Sequence, residues 1–353
     1  MPNFEEQRKA RIYPMNKKIR VAINGFGRIG RYTTKLLMDK DNIELVAIND
    51  LANNESILHL LKYDSIHRKF DRKISLDGNF LVSEGNKIRL LEQSKPELLP
   101  WREMEIDLVI ECTGRFTSRE SASLHLDAGA KKVLISAPSP DESIKMIVLG
   151  VNENILTGKE KIISNASCTT NCLAPMVQIL DQNFGLVKGY ASTVHSYTND
   201  QNLHDAPHRD LRRARAAAYS IIPTTTNAGK ALDRVLPRLN GRIEASAMRV
   251  PVPNGSLTDL IVEIEKEASV EEINQAFENA SKNQFKGILQ VESDPIVSMD
   301  IIGNPHSCII DKELTSSKGN MVKLVGWYDN EAGYSNRLVD LIEVIFEKKQ
   351  ERI

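Results

Sequence analysis

The sequence contains little of what marks the more specialised classes of protein. Four of its 353 residues are cysteine, too few for a disulfide framework, and a chain of this length can bury a core without one. Lysine plus arginine number 46 and aspartate plus glutamate 47, so no excess of positive charge indicates a dedicated nucleic-acid partner. No stretch approaches 18 apolar residues, so no membrane span is predicted. These absences predict a cytoplasmic protein with reduced thiols.

The N-terminus also lacks a targeting signal. Residues 1–18 mix acidic and basic side chains, contain no serine and lead into no apolar segment. A secretory signal needs such a segment, and a transit peptide is rich in serine and poor in acids. We therefore expect an N-terminal extension over residues 1–18, loosely ordered up to about Pro14.

The first half of the chain alternates short apolar runs with helical stretches. Continuous apolar runs between helices are typical of parallel strands that are buried on both faces of a sheet. The chain length favours two domains, so we predict a first, α/β domain over residues 19–167. The runs that carry this prediction are Ile19–Asn24, Leu45–Asn49, Asp107–Ile110, Lys132–Ile135 and Met146–Leu149.

The second half has a different pattern. Apolar and polar side chains alternate between residues 258 and 264, as in an antiparallel sheet with one exposed face. Ser269 then stands three residues before Glu272, the spacing of a capping box, and apolar residues follow at helical spacing. We predict an α+β domain with a largely antiparallel sheet over residues 168–332.

The last segment is amphipathic. Leu338, Leu341, Ile342 and Ile345 form one apolar stripe, which predicts a helix. We expect this helix, over residues 333–353, to dock back on the first domain.

Glycines at the start of the chain predict a nucleotide site. Gly25, Gly27 and Gly30 form a G-x-G-x-x-G that follows the apolar run Ile19–Asn24 and opens a helical stretch, and Asp50 ends the next run. Such a turn brings backbone N–H groups and a helix N-terminus to a pyrophosphate. Asp50 would bind ribose hydroxyls and repel a 2′-phosphate, which predicts NAD rather than NADP. The alternative is an ordinary strand–helix turn.

A candidate nucleophile lies in the middle of the chain. Cys168 stands where a helical pattern begins, and a helix N-terminus favours the thiolate, which predicts a lowered thiol pKa. The neighbouring hydroxyls of Ser167, Thr169 and Thr170 could donate to an oxyanion or a phosphate. The alternative is a small buried hydrophobic residue.

His195 is the candidate base, because it follows a strand-like segment and a thiolate needs a proton acceptor. A structural histidine is the alternative. We predict that Cys112, Cys172 and Cys308 are buried, and their spacing does not match a zinc site, so no metal is expected.

Arginine is concentrated in one segment. Four arginines fall within residues 209–215, a threonine run follows at 224–226, and Arg249 lies in a predicted strand. Guanidinium groups match the geometry of phosphate, which predicts phosphate binding. The alternative is that some of these arginines hold a loop or a subunit contact through salt bridges.

These residues together resemble the phosphorylating glyceraldehyde-3-phosphate dehydrogenase family over nearly the whole chain after about residue 18. The resemblance is carried by long motifs: NGFGRIGR at 24–31, ECTGRFT at 111–117, SAPS at 136–139, SNASCTTNCLAP at 164–175, HSYTNDQ at 195–201, DLRRARAAA at 210–218, MRVPVP at 248–253 and WYDNEAGYSNR at 327–337.

The resemblance implies a Rossmann NAD-binding domain, a catalytic domain and a homotetramer in which the arginine-rich segment lines a neighbour's cofactor pocket. It implies oxidation of glyceraldehyde 3-phosphate to 1,3-bisphosphoglycerate with NAD and inorganic phosphate, in glycolysis or gluconeogenesis. Cys168 would be the nucleophile and His195 the base. The implied substrate and phosphate ligands are Ser167, Thr169, Thr198, Arg213 or Arg212, Thr226, Asn227 and Arg249. The implied NAD ligands are Gly25, Gly27, Arg28, Ile29, Gly30, Asp50, Ser136, Asn330 and Tyr334.

Two residues depart from the family pattern. Asn227 stands where the family commonly has glycine, and because asparagine tolerates positive φ we expect the backbone donor there to be kept. Its side chain could crowd the phosphate. Ala332 stands where the family often has tryptophan, which removes bulk near the nicotinamide end.

Two other functions compete with this interpretation. An erythrose-4-phosphate dehydrogenase would share the fold and the cysteine, but HSYTNDQ and MRVP favour the triose enzyme. A non-catalytic binding paralogue is the second alternative, and the presence of both Cys168 and His195 argues against it.

Overall fold

The computed structural model describes residues 18–350, with side chains as far as residue 347. Of the predicted extension only Lys18 is described, and residues 351–353 of the predicted last helix also lie outside the described residues. Within residues 18–350, no helix is long and apolar enough to cross a membrane.

The elements of the first half alternate as the sequence predicts. The strands are β1 (Ile19–Asn24), β2 (Ile43–Asn49), β3 (Tyr63–Asp64), β4 (Arg68–Lys69), β5 (Ser75–Asp77), β6 (Phe80–Ser83), β7 (Asn86–Leu91), β8 (Leu108–Glu111), β9 (Lys132–Ile135), β10 (Lys145–Met146) and β11 (Ile162–Ser164). The helices are α1 (Arg28–Leu37), α2 (Asn54–Lys62) and α3 (Arg119–Asp127), with 3-10 turns at Pro96–Leu98 and Glu153–Ile155.

In the described chain these strands form a nine-stranded sheet in the order β10-β11-β9-β8-β1-β2-β7-β6-β5, while β3 and β4 pair separately. Neighbours from β10 to β7 are parallel, and β6 and β5 add to the edge as antiparallel strands. The predicted Rossmann-type parallel sheet is confirmed. Helix α1 begins just beyond the carboxyl end of β1, at the edge where open α/β sheets bind their ligands.

One predicted strand is much shorter than its apolar run. The pattern predicts a strand over Met146–Leu149, but β10 ends at Met146. The side chain of Asn152 donates to the carbonyl of Met146 at 2.9 Å and accepts from the N–H of Val148 at 2.9 Å. An asparagine side chain that hydrogen-bonds the backbone in this way takes the place of the neighbouring strand, and the chain turns away from the sheet.

The second half supplies a separate, mixed sheet. Its strands are β12 (Leu186–Ser196), β13 (Ile222–Thr224), β14 (Ile243–Val250), β15 (Ser256–Ile264), β16 (Leu289–Glu292), β17 (Cys308–Asp311), β18 (Ser316–Lys318) and β19 (Met321–Tyr328). The helices are α4 (Cys168–Phe184), α5 (Ala228–Val235), α6 (Val270–Lys282) and α7 (Ala332–Gln350), with a 3-10 turn at Pro237–Leu239.

The strand order of this sheet is β13-β14-β12-β15-β19-β17-β16, with β18 paired to β19. Only the β12–β14 and β16–β17 pairs are parallel among the described strands, so the predicted largely antiparallel sheet is confirmed. The alternation in β15 and the capping box between Ser269 and Glu272 are confirmed too.

Helix α4 joins the two sheets. It follows β11 of the first sheet after three residues and packs along β12, β15 and β19 of the second. Its side chains from Thr169 to Leu180 are buried, because they fill the core between this sheet and helices α5 and α6. The first residue of α4 therefore lies where the two halves meet.

Helix α7 returns to the first half. Leu338, Leu341, Ile342 and Ile345 are buried in one apolar cluster with Leu37 of α1. This packing agrees with the stripe in the sequence and holds the segment just before α7 against the start of α1.

Gly30 lets α1 pack against the turn that precedes it. A Cβ at position 30 would lie 2.1 Å from the carbonyl oxygen of Gly25, whereas a Cβ at Gly27 would meet nothing within 4 Å. We expect Gly30→Ala to lower the free energy of unfolding by about 3 kcal/mol, because helix and turn must separate. Gly27→Ala should lower it by less than about 1 kcal/mol. Urea denaturation measures both, and equal losses would contradict this packing.

Candidate active site

Cys168 is the first residue of α4, as the sequence predicts. Ser167 caps the helix by accepting the N–H of Thr170 at 3.1 Å. Just before it, Ala166 has a φ of 55°, and the hydroxyl of Tyr334 donates to its carbonyl at 3.0 Å. This left-handed residue turns the chain sharply between β11 and α4, and the tyrosine holds the turn in place.

Cys168 and His195 meet between the two sheets. The Sγ of Cys168 lies 3.5 Å from Nε2 of His195, which stands near the end of β12. The Nδ1 of the same ring lies 2.8 Å from the carbonyl of Ser196 and also contacts a guanidinium nitrogen of Arg249. Arg249 comes from β14, which pairs with β12 so that residues 195 and 249 are register neighbours. The thiol and the imidazole predicted from distant parts of the sequence are therefore in contact.

Burial dominates the titration of this pair. Burial raises the pKa of the Cys168 thiol above its ordinary value, although Arg249 and the N–H of Thr169 lower it. The prediction of a lowered pKa is wrong for this arrangement, because loss of water around a thiolate outweighs the helix N-terminus. Burial and the Arg249 cation lower the pKa of His195 to about 3, so the imidazole is neutral near pH 7.

A cavity of about 410 Å³ opens beside the pair. Most of the residues predicted to hold substrate or phosphate line it. These residues are Ser167, Thr169, Arg213, Thr226, Asn227 and Arg249, together with Cys168 and His195. His208 and Asp210 line it as well, and their only signal in the sequence is their position in the arginine-rich segment.

Two predicted ligands differ from expectation. Thr198 is not among the residues that line this cavity, and its N–H faces the side chain of Gln201 at 3.3 Å. Asn227 does line the cavity, but its φ is −96°, so the backbone there does not use the positive φ from which a kept donor was argued. It immediately precedes α5, and the chain enters that helix without a left-handed turn.

Arg213 is held by acidic neighbours. Its guanidinium forms an ion pair with Asp200, and its Nε lies 2.8 Å from the hydroxyl of Thr224 and 3.7 Å from Asp210. The cation that faces the cavity is thus partly neutralised, and an anion bound there would compete with Asp200 for it.

The other cysteines lie outside this cavity. Cys172 and Cys308 are buried as predicted and in contact with each other, while Cys112 is only half-buried. All four thiols are free. No cluster of side chains in residues 18–350 could hold a metal ion.

The start of α1 has the features of a nucleotide site. Gly25 has a φ of 96°, and the N-cap Gly27 leaves open space where a side chain would be. The first turn carries no acidic side chain, and no side chain caps its N–H groups. The carboxylate of Asp50 accepts the N–H groups of Phe26 and Ala52 at 2.6 and 2.9 Å, which fixes it beside this turn. These residues fit a dinucleotide.

Arg28 contributes differently from a simple phosphate ligand. Its guanidinium pairs with Asp64 at 2.7 Å and with Glu331 at 2.6 Å, so the side chain ties α1 to the segment before α7. Its backbone, like that of Ile29, belongs to the first turn of α1.

The remaining predicted cofactor residues lie at the junction of the two halves. Asn330 accepts the hydroxyls of Ser196 and Ser256 at 2.8 and 3.1 Å through Oδ1, which directs its amide nitrogen away from them. Ser136 is half-buried after β9 and hydrogen-bonds the thiol of Cys112. Tyr334 is buried on α7, so its hydroxyl acts on the turn before Cys168.

Comparisons with known proteins agree with this geometry. A family model described as glyceraldehyde 3-phosphate dehydrogenase, NAD binding domain, matches residues 19–119, and one described as the C-terminal domain of the same enzyme matches residues 167–330. Proteins named glyceraldehyde-3-phosphate dehydrogenase from Mycobacterium avium and Geobacillus stearothermophilus are 52% and 53% identical to this chain. The alignments cover 93% and 94% of this chain and 98% and 99% of the relatives. The chain therefore belongs to the glyceraldehyde-3-phosphate dehydrogenase family, as an NAD-dependent oxidoreductase.

Proposed function

We propose that this enzyme oxidises D-glyceraldehyde 3-phosphate to 1,3-bisphosphoglycerate with NAD and inorganic phosphate, through a thioester on Cys168. The observation that carries the proposal is the 3.5 Å contact between Cys168 and His195 in a cavity lined by Arg213 and Arg249. A nucleophile, a base and two guanidinium groups are the parts that a phosphorylated aldehyde and a second phosphate require.

Oxidation begins at Cys168. Nε2 of His195 takes the thiol proton, the thiolate attacks the aldehyde carbon, and the proton passes to the former carbonyl oxygen to give a hemithioacetal. Nε2 then accepts this hydroxyl proton as the hydride leaves and the carbonyl re-forms. When bound, NAD supplies the hydride acceptor. The product is an acyl thioester on Cys168.

Inorganic phosphate completes the reaction. It attacks the thioester carbon, forms the acyl phosphate and releases the Cys168 thiolate. The hydroxyls of Ser167, Thr169 and Thr226 and the Arg213 guanidinium would hold this phosphate. Arg249 and Thr198 would bind the C3 phosphate of the substrate, although Thr198 does not line the cavity as Arg249 and Asn227 do.

NAD would be held at the edge of the first sheet. The N–H groups of Arg28 and Ile29, with the backbone at Gly25, Gly27 and Gly30, would bind the pyrophosphate. Asp50 would accept the adenosine ribose hydroxyls, and the amide of Asn330 would face the nicotinamide end. Ser136 and Tyr334 support that end of the site. The small side chain of Ala332, which is buried, loosens it.

We also propose a homotetramer in the cytoplasm. The segment from residue 202 to 221 exposes large apolar side chains that a neighbour would cover. These are Leu203, Leu211, Tyr219 and Ile221, each more than two-thirds exposed. Patches of this kind mark interaction surfaces.

The choice of aldehyde tests the proposal against its closest rival. We expect rapid NADH formation with glyceraldehyde 3-phosphate only when inorganic phosphate is present, and a rate at least about tenfold lower with erythrose 4-phosphate, because the C3 phosphate sets the position of the carbonyl. Cys168→Ser should abolish turnover, while Cys308→Ala should keep it. A faster reaction with erythrose 4-phosphate, or equal rates without phosphate, would contradict the proposal. Full activity of Cys168→Ser would contradict the assignment of the nucleophile, and no NADH formation by the unmodified protein with either aldehyde would favour a function without catalysis.

Cofactor choice is a second test. We expect kcat/KM to be at least about a hundredfold higher with NAD than with NADP, because the Asp50 carboxylate repels a 2′-phosphate. Asp50→Ala should narrow that ratio by raising activity with NADP. Glu44→Ala, at an exposed position on the neighbouring strand β2, is the control and should keep the ratio. A preference for NADP in the unmodified enzyme would overturn the assignment of Asp50.

Assembly can be measured directly. Light scattering after gel filtration should give a mass four times that of the 39.6 kDa chain. Tyr219→Asp should lower this mass, because a charge at a covered apolar contact is costly. A single-chain mass for the unmodified protein would exclude the tetramer.

A further inference from the structure

Five buried side chains form one hydrogen-bonded chain inside the first half of the molecule. Asn49 ends β2, Asn24 ends β1 and Glu111 ends β8, while His125 lies on α3 and Trp101 precedes β8. The amide of Asn49 donates to Oδ1 of Asn24 at 2.7 Å, and the amide of Asn24 donates to Oε2 of Glu111 at 2.6 Å. The Nε2 of His125 lies 3.0 Å from the same Oε2, and its Nδ1 lies 3.0 Å from the indole nitrogen of Trp101. Each of the five residues is at most 4% exposed.

Both ends of this chain have a fixed direction. At one end the backbone N–H of Gln93 donates to Oδ1 of Asn49 at 2.9 Å, which fixes the orientation of the amide groups that follow. At the other end the indole nitrogen of Trp101 can only donate, so Nδ1 of His125 accepts and the neutral ring carries its proton on Nε2. Both directions lead to Glu111, which receives an N–H from each side.

Glu111 is therefore a carboxylate. Its Oε2 receives the N–H groups of Asn24 and His125, while its Oε1 receives the N–H of Thr113 at 2.7 Å and contacts the hydroxyl of the same residue. Donors on both oxygens stabilise the ionised form.

This buried charge lacks a counter-charge. Among residues 18–350, no lysine or arginine forms an ion pair with Glu111, and its one neighbour of that kind is the neutral ring of His125. Carboxylates buried to this degree are usually paired with a cation. Asp107, which precedes β8 at the opposite edge of the sheet, follows the usual rule and pairs with Lys131 at 2.6 Å.

The charge lies at the edge of the sheet that would hold NAD. A Cβ at Gly25 would lie 2.7 Å from the backbone nitrogen of Thr113, so the loop that Glu111 holds packs against the glycine turn. The carbonyl of Glu111 accepts the N–H of Ser136 at 3.0 Å, and Ser136 is assigned above to the nicotinamide end. Burial raises the pKa of the Cys112 thiol to about 12, and the charge of Glu111 adds to this rise. The carboxylate therefore acts on groups at the cofactor site.

The two forms of the cofactor differ in charge. The nicotinamide ring is positive in NAD and neutral in NADH, so a nearby negative charge without a partner stabilises bound NAD relative to bound NADH. We propose that the buried charge of Glu111 makes the site prefer NAD to NADH and so promotes release of the reduced cofactor. This rests on the proposed position of the nicotinamide beside Ser136, and it requires nothing of the aldehyde.

Calorimetric titration tests this role with cofactor-free protein and no aldehyde, because it gives Kd for NAD and for NADH separately. We expect the unmodified protein to bind NADH more weakly than NAD. Glu111→Gln keeps the shape of the side chain and removes its charge. It should lower the ratio of Kd for NADH to Kd for NAD about tenfold, the usual scale of an interaction between two unit charges inside a protein. An unchanged ratio, with both Kd values altered alike, would show a purely structural role and overturn the proposal.

A charge swap separates the charge from the hydrogen bonds. In the double variant Asn24→Asp with Glu111→Gln, the carboxylate and the amide exchange places, and Thr113 keeps its acceptor. The new carboxylate can also accept Nε2–H of His125, which lies 3.4 Å from the present amide nitrogen of Asn24. The ratio should return to about that of the unmodified protein, and a ratio that stays low would contradict a role of charge.

Asp107→Asn is the matched control. It makes the same change of acid to amide at the other end of the same strand, where the charge is already paired, so the ratio should be kept. An equal fall of the ratio in this variant would overturn the assignment to Glu111. If Glu111→Gln fails to fold by circular dichroism, the unmodified protein decides: weaker binding of NADH supports the proposal, and NADH bound as tightly as NAD overturns it.

This result is independent of the proposed reaction. Cofactor binding requires no turnover, so an unchanged ratio combined with phosphate-dependent oxidation would refute the role of Glu111 and leave the proposed function standing. A ratio that follows the charge, in a protein that oxidises neither aldehyde, would do the reverse.

Discussion

The contact between Cys168 and His195 is the constraint on which the rest of the structure depends. The two residues come from different halves of the chain, since Cys168 begins the helix that follows β11 of the first sheet and His195 lies one residue before the end of β12 of the second. The Sγ of Cys168 and the Nε2 of His195 can stay 3.5 Å apart only if helix α4 begins at Cys168. The cap by Ser167, the left-handed turn at Ala166 and the hydroxyl of Tyr334 fix that residue. Helix α7, which carries Tyr334, is fixed in turn by its packing on α1.

Electrostatics explains why a nearly neutral chain concentrates cations around this contact. Arg213 and Arg249 face a cavity that would receive two phosphate groups. Without a bound phosphate, each guanidinium is paired with groups of the protein itself. Arg213 forms an ion pair with Asp200, while Arg249 contacts Nδ1 of His195 and donates to the Ser196 carbonyl. Substrate anions would therefore exchange one set of partners for another.

Much of the fold could be predicted because it depends on local pattern. Apolar runs and capping residues gave the bounds of β1, β9 and α6 closely, since burial and orphan N–H groups act over a few residues. The apolar run that begins at Met146 predicted too long a strand, because the side chain of Asn152, six residues later, hydrogen-bonds the Met146 carbonyl. The φ of Asn227 likewise follows from how the chain enters α5, so the tolerance of asparagine for positive φ plays no part there.

The candidate site was predictable in its residues but not in its physical state. Cys168 and His195 were singled out by residue type and by resemblance, yet a thiol at a helix N-terminus predicts a lowered pKa and burial raises it. The ion pairs of Arg28 join it to Asp64, 36 positions away, and to Glu331, 303 positions away, and no sequence pattern reports them. Tertiary contacts of this kind set charge and solvation, which are properties of the folded site.

The central claim is that Cys168 carries the acyl group between oxidation and phosphorylation. Rapid mixing of enzyme, NAD and glyceraldehyde 3-phosphate in phosphate-free buffer, followed by acid quench and peptide mass analysis, tests it most directly. The account predicts a burst of one NADH per chain, with a phosphoglyceroyl mass on the peptide that contains Cys168. Continuous turnover without a burst, or the acyl mass on another peptide, would contradict it.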